Sequence, residues 1–300
     1  MTSSSLSLDH SSAHPSAQSS GATSGLGPWS AILLLAPLTL LMLGILLYPL
    51  GLTVWTSLYD GQLSVRAYGE LATSTLFLKV LRNTIEIAVT GTLVSLVFGY
   101  PVALHLAAQP PRRRTACLIM VMLPFWTSIL VKSFALVAVF GNQGLLNQLL
   151  GYLSGGQVNL PMMFNRVGVV LGMINFLLPF MILSILGSLL ALDRRLVLAA
   201  ETMGAGALRI FWKVILPLSM PGVVAGVLIN VTLSIGMYIT PALLGGRQDM
   251  MVANLVDFYT RQTLDWPAAS ATAVVLLAIS GLLVAMLGRV RGGGLPGGAA

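Results

Sequence analysis

Six apolar runs stand out in this chain, each holding 17 or more consecutive residues without a Lys, Arg, Asp or Glu and built mainly from aliphatic and small residues. A bilayer demands such runs. Its hydrocarbon core is about 30 Å thick and a helix rises about 1.5 Å per residue, so ~20 apolar residues are needed to cross it. The first run lies within the uncharged residues 10–59, apolar from Ala31 to about Leu50 and reaching towards Leu58. The others are 87–111, 115–131 (continuing past Lys132 to Phe140), 167–192, 214–246 and 266–288. None alternates in the ten-residue segments of a membrane barrel. The expected fold is all-α: a polytopic membrane protein with six transmembrane helices.

Composition agrees. Only 8% of the 300 residues are charged and 56% are hydrophobic, with a mean hydropathy of +0.89. A soluble domain carries about a quarter charged residues, and a wetted surface cannot be made from so few. A single Cys, Cys117, excludes a disulfide scaffold and a cysteine-rich metal module. There is no paired carboxylate, Ser/His/Asp set or metal-ligand spacing, so no catalytic, cofactor or metal site is expected. No Gly-Lys dipeptide occurs, because Lys79, Lys132 and Lys213 follow Leu78, Val131 and Trp212. A phosphate-cradling Gly-Lys-Ser/Thr loop is therefore missing, and any ATP must be bound by another chain. The net charge of +7 does not point to nucleic acid, because the basic residues are scattered between apolar runs. The lipid bilayer is the expected partner.

Basic residues near span ends set the orientation. With the N-terminus inside, the cytoplasmic segments hold nine: Arg112, Arg113, Arg114, Arg194, Arg195, Arg209, Lys213, Arg289 and Arg291. The outer segments hold six: Arg66, Lys79, Arg82, Arg166, Arg247 and Arg261. Asp60, Glu70, Asp249, Asp257 and Asp265 then fall outside. Both termini are expected in the cytoplasm. Residues 1–28 read as a disordered Ser-rich head, 29–290 as the six-helix domain and 291–300 as a flexible Gly-rich tail. The first basic residue is Arg66, so a signal peptide's positive start is missing and span 1 is expected to be retained. Short helices along the membrane are expected in the loop 59–80 and, from Leu145, Leu146, Leu149 and Leu150, in 141–165.

The loop 192–217 is more specific. Leu196, Ala199, Ala200 and Met203 recur at helical spacing, with Arg194, Arg195 and Glu201 on the other side. Gly204 and Gly206 permit a sharp bend, and a second helical pattern from Ala207 enters Leu216-Pro217. Small residues beside a glycine suit close docking against another protein. An amphipathic helix lying on the headgroups fits Arg209, Phe211, Trp212 and Lys213 equally well.

These residues carry a resemblance. Ala199-Ala200, Gly204 and Leu216-Pro217 match the loop signature of ABC-importer permease subunits, Glu-Ala-Ala, three residues, Gly, nine residues, Ile, one residue, Leu-Pro. Leu198 stands where the family has Glu, and Val214 where it has Ile; Glu201 lies three residues further on. Pro217-Leu-Ser-Met-Pro-Gly222, Leu243-Leu-Gly-Gly246, Asp265-Trp-Pro-Ala-Ala269, Tyr48-Pro49 and Tyr100-Pro101 resemble the polyamine (spermidine and putrescine) type, over roughly residues 30–290. The resemblance implies a type I ABC-importer permease-like fold in a bacterial inner membrane, with the loop forming coupling helices. Leu198, Ala199, Ala200, Glu201, Gly204, Leu216 and Pro217 would then meet the ATPase. It also implies three kinds of partner: a cytoplasmic ATPase dimer, a second permease subunit completing the path, and an extracytoplasmic solute-binding protein. Relatives of this type carry polyamines, opines, aminophosphonates or ferric iron.

Asn230, Ser234 and Tyr238 recur every four residues in span 5 and share a face. That stripe either lines a solute path or cross-links helices. Asn175 with Pro179, and Pro241, add polar or kinking groups at similar depth. Asp257 and Asp265 either guide a cation at the outer mouth or contact a binding protein, unless they are simply solvated. Glu86 is expected to pair with Arg82, four residues away. Lys132 follows a turn at Pro124; a cation in hydrocarbon costs about 2.5–3.5 kcal/mol. It reads as a snorkelling or internally paired Lys, or else as a pore or partner contact. The rival function is a secondary transporter or channel driven by an ion gradient. Such proteins carry inverted repeats and several intramembrane charges, and neither is evident.

Overall fold

The computed structural model describes residues 28–59, 64–155 and 160–292, with backbone alone for 28–35 and 290–292. The Ser-rich head and most of the Gly-rich tail expected from the sequence lie outside the described residues. The chain divides into two units, Met1–Pro49 and Leu50–Ala300. Among the described residues, six helical stretches are long and apolar enough to cross a membrane: Ala36–Leu58, Thr75–Ala108, Ile129–Ser154, Arg166–Ala191, Ala207–Ile235 and Trp266–Arg289.

The described part of the first unit is one piece of helix α1 (Pro28–Leu58), up to Pro49. Leu38, Leu41, Leu43, Ile45, Leu46 and Tyr48 are all exposed, so apolar side chains cover it all round. A helix of that kind is stable only when lipid or another chain surrounds it.

In the second unit, after α2 (Arg66–Thr73), the core is α3 (Thr75–Ala108), α7 (Arg166–Ala191) and α10 (Leu216–Ile235). α3 and α7 run parallel: Gly91 faces Met173 and Leu177, and Gly99 faces Met181 and Ile182. α10 runs the other way, with Gly226 against Met181 and Gly222 against Ser184 and Ser188. Small residues at these crossings let the helices approach closely, which is how membrane helices gain packing without a hydrophobic drive between them. One apolar cluster, with Ala103, Leu106, Ile185 and Leu189, fills one end. A second, with Ile87, Val169, Met173 and Met251, fills the other. α11 (Ile239–Leu244), α12 (Val252–Phe258) and α13 (Trp266–Gly292) complete the unit, and Thr56 shares a 2.7 Å hydrogen bond with Ser270 of α13.

Two expectations change in detail. α3 starts at Thr75, well before the uncharged run at 87, because Ser74 caps it and Phe77 and Val80 pack into a third apolar cluster. The fifth run ends as helix at Ile235 rather than 246; Gly236 closes α10, and Pro241 sits in the separate α11. The third run is divided at the turn expected at Pro124, so it is not one helix. It is α4 (Pro111–Met122), a 3-10 turn over Leu123–Trp126, and α5 (Ile129–Phe140). Cys117, Leu118 and Val121 of α4 pack on the first cluster and Ile129 of α5 on the second, so these pieces together run the length of α7. Pro124 causes the break, since it cannot donate a helical hydrogen bond. The short helices expected in both loops are present as α2 and as α6 (Leu145–Leu153).

Candidate functional site

Loop 192–217 folds as its sequence pattern directs. Asp193 begins α8 (Arg194–Thr202), its Oδ1 accepting from the Arg195 N–H at 2.9 Å. The chain turns at Gly204, whose φ of +78° is left-handed, and re-enters helix at α9 (Ala207–Ile210). A π-helical stretch, Phe211–Ile215, leads into α10. Leu198, Ala199, Glu201, Gly204 and Pro217 are exposed, while Ala200 and Leu216 are half-buried. Leu196, Met203, Leu208 and Trp212 are exposed as well, Met203 at 86%. The loop thus presents an apolar surface with no covering element among the described residues. Leu198 sits at the lip of an apolar recess of about 870 Å³ with Leu104, Leu189, Val197, Phe211 and Ile215.

The stripe on α10 is placed differently. Asn230 and Ser234 are fully buried at 0% exposure and make no side-chain hydrogen bond among the described residues; Thr92 and Ser95 of α3 are likewise buried and without one. Tyr238 alone of the three opens outward, at 41%, and its carbonyl accepts from Asn254 Nδ2 at 3.0 Å. Asn230 and Ser234 share a face of α10 that points into the bundle, whereas Tyr238 lies past the end of α10 at Ile235 and is not on that face.

At the Arg166 end, the expected Arg82–Glu86 pair is present at 2.6 Å, but it belongs to a larger set that periodicity does not reveal. Arg166 Nη1 meets the other Glu86 oxygen at 2.5 Å, Nη2 donates to Asn83 Oδ1 at 2.8 Å, and Nε lies 3.5 Å from Asp249. Asn83 donates to the Gln248 carbonyl at 2.6 Å. One guanidinium therefore ties α3, α7 and the segment 246–249 together, using the fork that Lys lacks. Arg166→Ala should lower the melting temperature of the purified complex, and Arg166→Lys should restore only part of it. Melting of both variants with the parent would remove the tie.

Asp257 is paired with Arg261 at 2.7 Å. Asp265 caps α13, its Oδ1 accepting from the Ala268 N–H at 3.0 Å. The Asp-Trp-Pro motif thus has a local reason: an N-cap followed by residues suited to a first helical turn.

Sequence singled out Lys132 and Pro124 at the break in the third run, but not the three phenylalanines that gather there. Phe125, in the 3-10 turn, lies 5.3 Å from Phe180 and 6.4 Å from Phe176, ring centre to ring centre. Phe176 and Phe180 are 5.5 Å apart on α7. The Lys132 ammonium sits 5.9 Å over the Phe176 ring. The available signal was two Phe four residues apart around Pro179, which marks a face but not its neighbour across the break.

With the geometry in place, comparison with known proteins is informative. A family model described as binding-protein-dependent transport system inner membrane component matches residues 95–291. The spermidine/putrescine transport system permease protein PotB of Escherichia coli (strain K12) is 33% identical over 214 residues, 71% of this chain and 78% of its own. The protein of that name from Haemophilus influenzae is 32% identical over 209 residues, 70% of this chain and 73% of its own. A chain from the crystal structure of a bacterial alginate ABC transporter, in complex with an alginate pentasaccharide-bound periplasmic protein, matches with a TM-score of 0.73. It is 17% identical and covers 86% of this chain and 92% of that one, a likeness of fold.

Proposed function

We infer the function from one premise: the chain belongs to the family of binding-protein-dependent transport system inner membrane components. It is a multi-pass membrane permease, and it forms half of the translocation path of an ATP-driven importer. A second permease subunit supplies the other half, an extracytoplasmic binding protein delivers the solute, and two cytoplasmic ATPase subunits supply the drive. The solute is a polyamine or a related organic cation, a reading supported by the two relatives of spermidine/putrescine type. The membrane is a bacterial inner membrane with both termini cytoplasmic, in line with the count of basic residues.

The observation that carries the coupling role is the exposed α8 with Gly204 at its bend. Leu196, Leu198 and Met203 lie open beside it, in a chain whose sequence lacks a Gly-Lys phosphate loop. Apolar side chains on a loop outside the bundle are stabilised when another surface covers them. ATP closure of the ATPase pair draws two such loops together. The bundle then rocks from inward-open to outward-open, and hydrolysis resets it. Tyr238, exposed at the turn between α10 and α11, serves the path; Asn230 and Ser234 support it from inside the bundle.

The test is reconstitution of the whole importer in proteoliposomes. An ATPase should co-purify with this chain, and spermidine or putrescine uptake should follow ATP. Uptake that follows a proton or sodium gradient, with no ATPase retained, would establish the gradient-driven rival instead.

A further inference from the structure

We propose that the ring cluster Phe125–Phe176–Phe180 binds one ammonium group of an organic cation in transit, with the Lys132 side chain as its tethered competitor. This rests on the reading of the solute as a polyamine-like cation.

The argument begins with depth. Phe176 is ten residues from the start of α7 and fifteen from its end, about 15 Å and 22 Å along the axis. The cluster therefore lies in the middle third of a membrane-crossing helix. At this level the third crossing leaves helical structure, and residues 123–128 are all exposed. Non-helical backbone at membrane depth is tolerated only where protein or a water-filled cavity meets it. Asn175, adjacent to Phe176, is exposed too, and Lys132 is partly so. A charge and open backbone beside the rings, with an exposed amide one residue away, are each costly against hydrocarbon. This face therefore meets water or the second subunit, not lipid.

Next comes chemistry. The face of an aromatic ring attracts a cation within about 6 Å, most strongly where water is scarce. The three rings lie within 5.3 to 6.4 Å of one another, and Phe125 is 41% exposed, so the cluster has an open side. An alkylammonium is already seated on it, because the Lys132 side chain ends in that group. A polyamine presents the same group on the same kind of methylene stem. α4, α5 and α7 carry no Asp or Glu, so the rings are what these elements offer a cation at this depth. Lys132 makes the occupied site exchangeable: an entering ammonium displaces a flexible tether, and the tether returns to expel it. Binding tight enough to enter and weak enough to leave is what a path requires.

The test is equilibrium binding of radiolabelled spermidine to the purified complex of both permeases and the ATPase, without the binding protein. Phe176→Leu should weaken binding about five- to thirtyfold, the range for a desolvated ring–cation contact. Phe176→Trp, which keeps a ring, should bind within about twofold of the parent. Lys132→Gln should tighten binding and slow release. The proposal is overturned if the parent complex shows no saturable binding, if Phe176→Leu binds like the parent, or if Lys132→Gln weakens binding. Failure of the solute reading looks different: the whole importer, binding protein included, would then take up neither spermidine nor putrescine.

Discussion

Replacing Gly204 by Asp or Trp is expected to abolish ATP-driven uptake and to strip the ATPase from the purified complex, while the subunit still inserts in the membrane. The structure separates two causes. A Cβ built at Gly204 meets nothing within 4 Å, so the bundle itself does not resist the side chain. The backbone does, since φ is +78° and an L-residue in the left-handed region costs about 1–2 kcal/mol, least for Asn and Asp. Trp tests bulk and strain together. Asp tolerates the backbone and tests a charge on an apolar docking surface. Gly204→Asn, small, neutral and tolerant of that φ, should keep a substantial part of the uptake. Normal uptake by well-expressed Gly204→Asp and Gly204→Trp would refute coupling through this bend.

The second large effect is expected at Gly222, where no left-handed conformation is involved. A Cβ there would lie 2.4 Å from Ser188 Oγ and 2.7 Å from the Ser184 carbonyl oxygen. The hydroxyl can rotate away, but the carbonyl belongs to α7 and cannot. Gly222→Val should push α10 off α7, at an overpacking cost of about 1–3 kcal/mol or more. Melting in detergent should fall sharply, and size-exclusion should show aggregate. Ser188→Ala should rescue little, because it leaves the carbonyl in place. A Gly222→Val chain that melts with its parent would mean that the close approach is not rigid.

Much of this fold is legible in the sequence because one constraint dominates. A helix that crosses a bilayer must be apolar for its whole length, and local composition records that directly. The loop 192–217 was legible for a related reason, since its helix, bend and second helix rest on neighbouring residues. Features that depend on which elements meet were not legible. Helical spacing put Asn230, Ser234 and Tyr238 on one face, but α10 ends at Ile235 before Tyr238, and Asn230 and Ser234 turn inward because α3 and α7 stand against them. Periodicity cannot say what lies opposite. Glu86 found its neighbour Arg82 by spacing, whereas Arg166 reaches it from 80 residues away. Asp257 and Asp265 looked available until a partner and a capping role were seen. Lys132 stood out from composition, but its place over Phe176 depends on where the break at Pro124 puts it.

The π-helical stretch Phe211–Ile215 has a mechanical consequence. The Leu216 N–H reaches back to the Phe211 carbonyl, so this turn holds one residue more than an α turn. Phe211 meets Tyr100 edge to face at 5.7 Å, and the Tyr100 hydroxyl is bonded to Ser219 at 2.8 Å. Tyr100 of α3 thereby holds the wide turn at its first residue and α10 just beyond it. Tightening the turn to α geometry would swing the segment before it by about 100° about the helix axis. Tyr100 grips both sides of the turn, so that rotation is opposed from α3 and the extra residue stays in place.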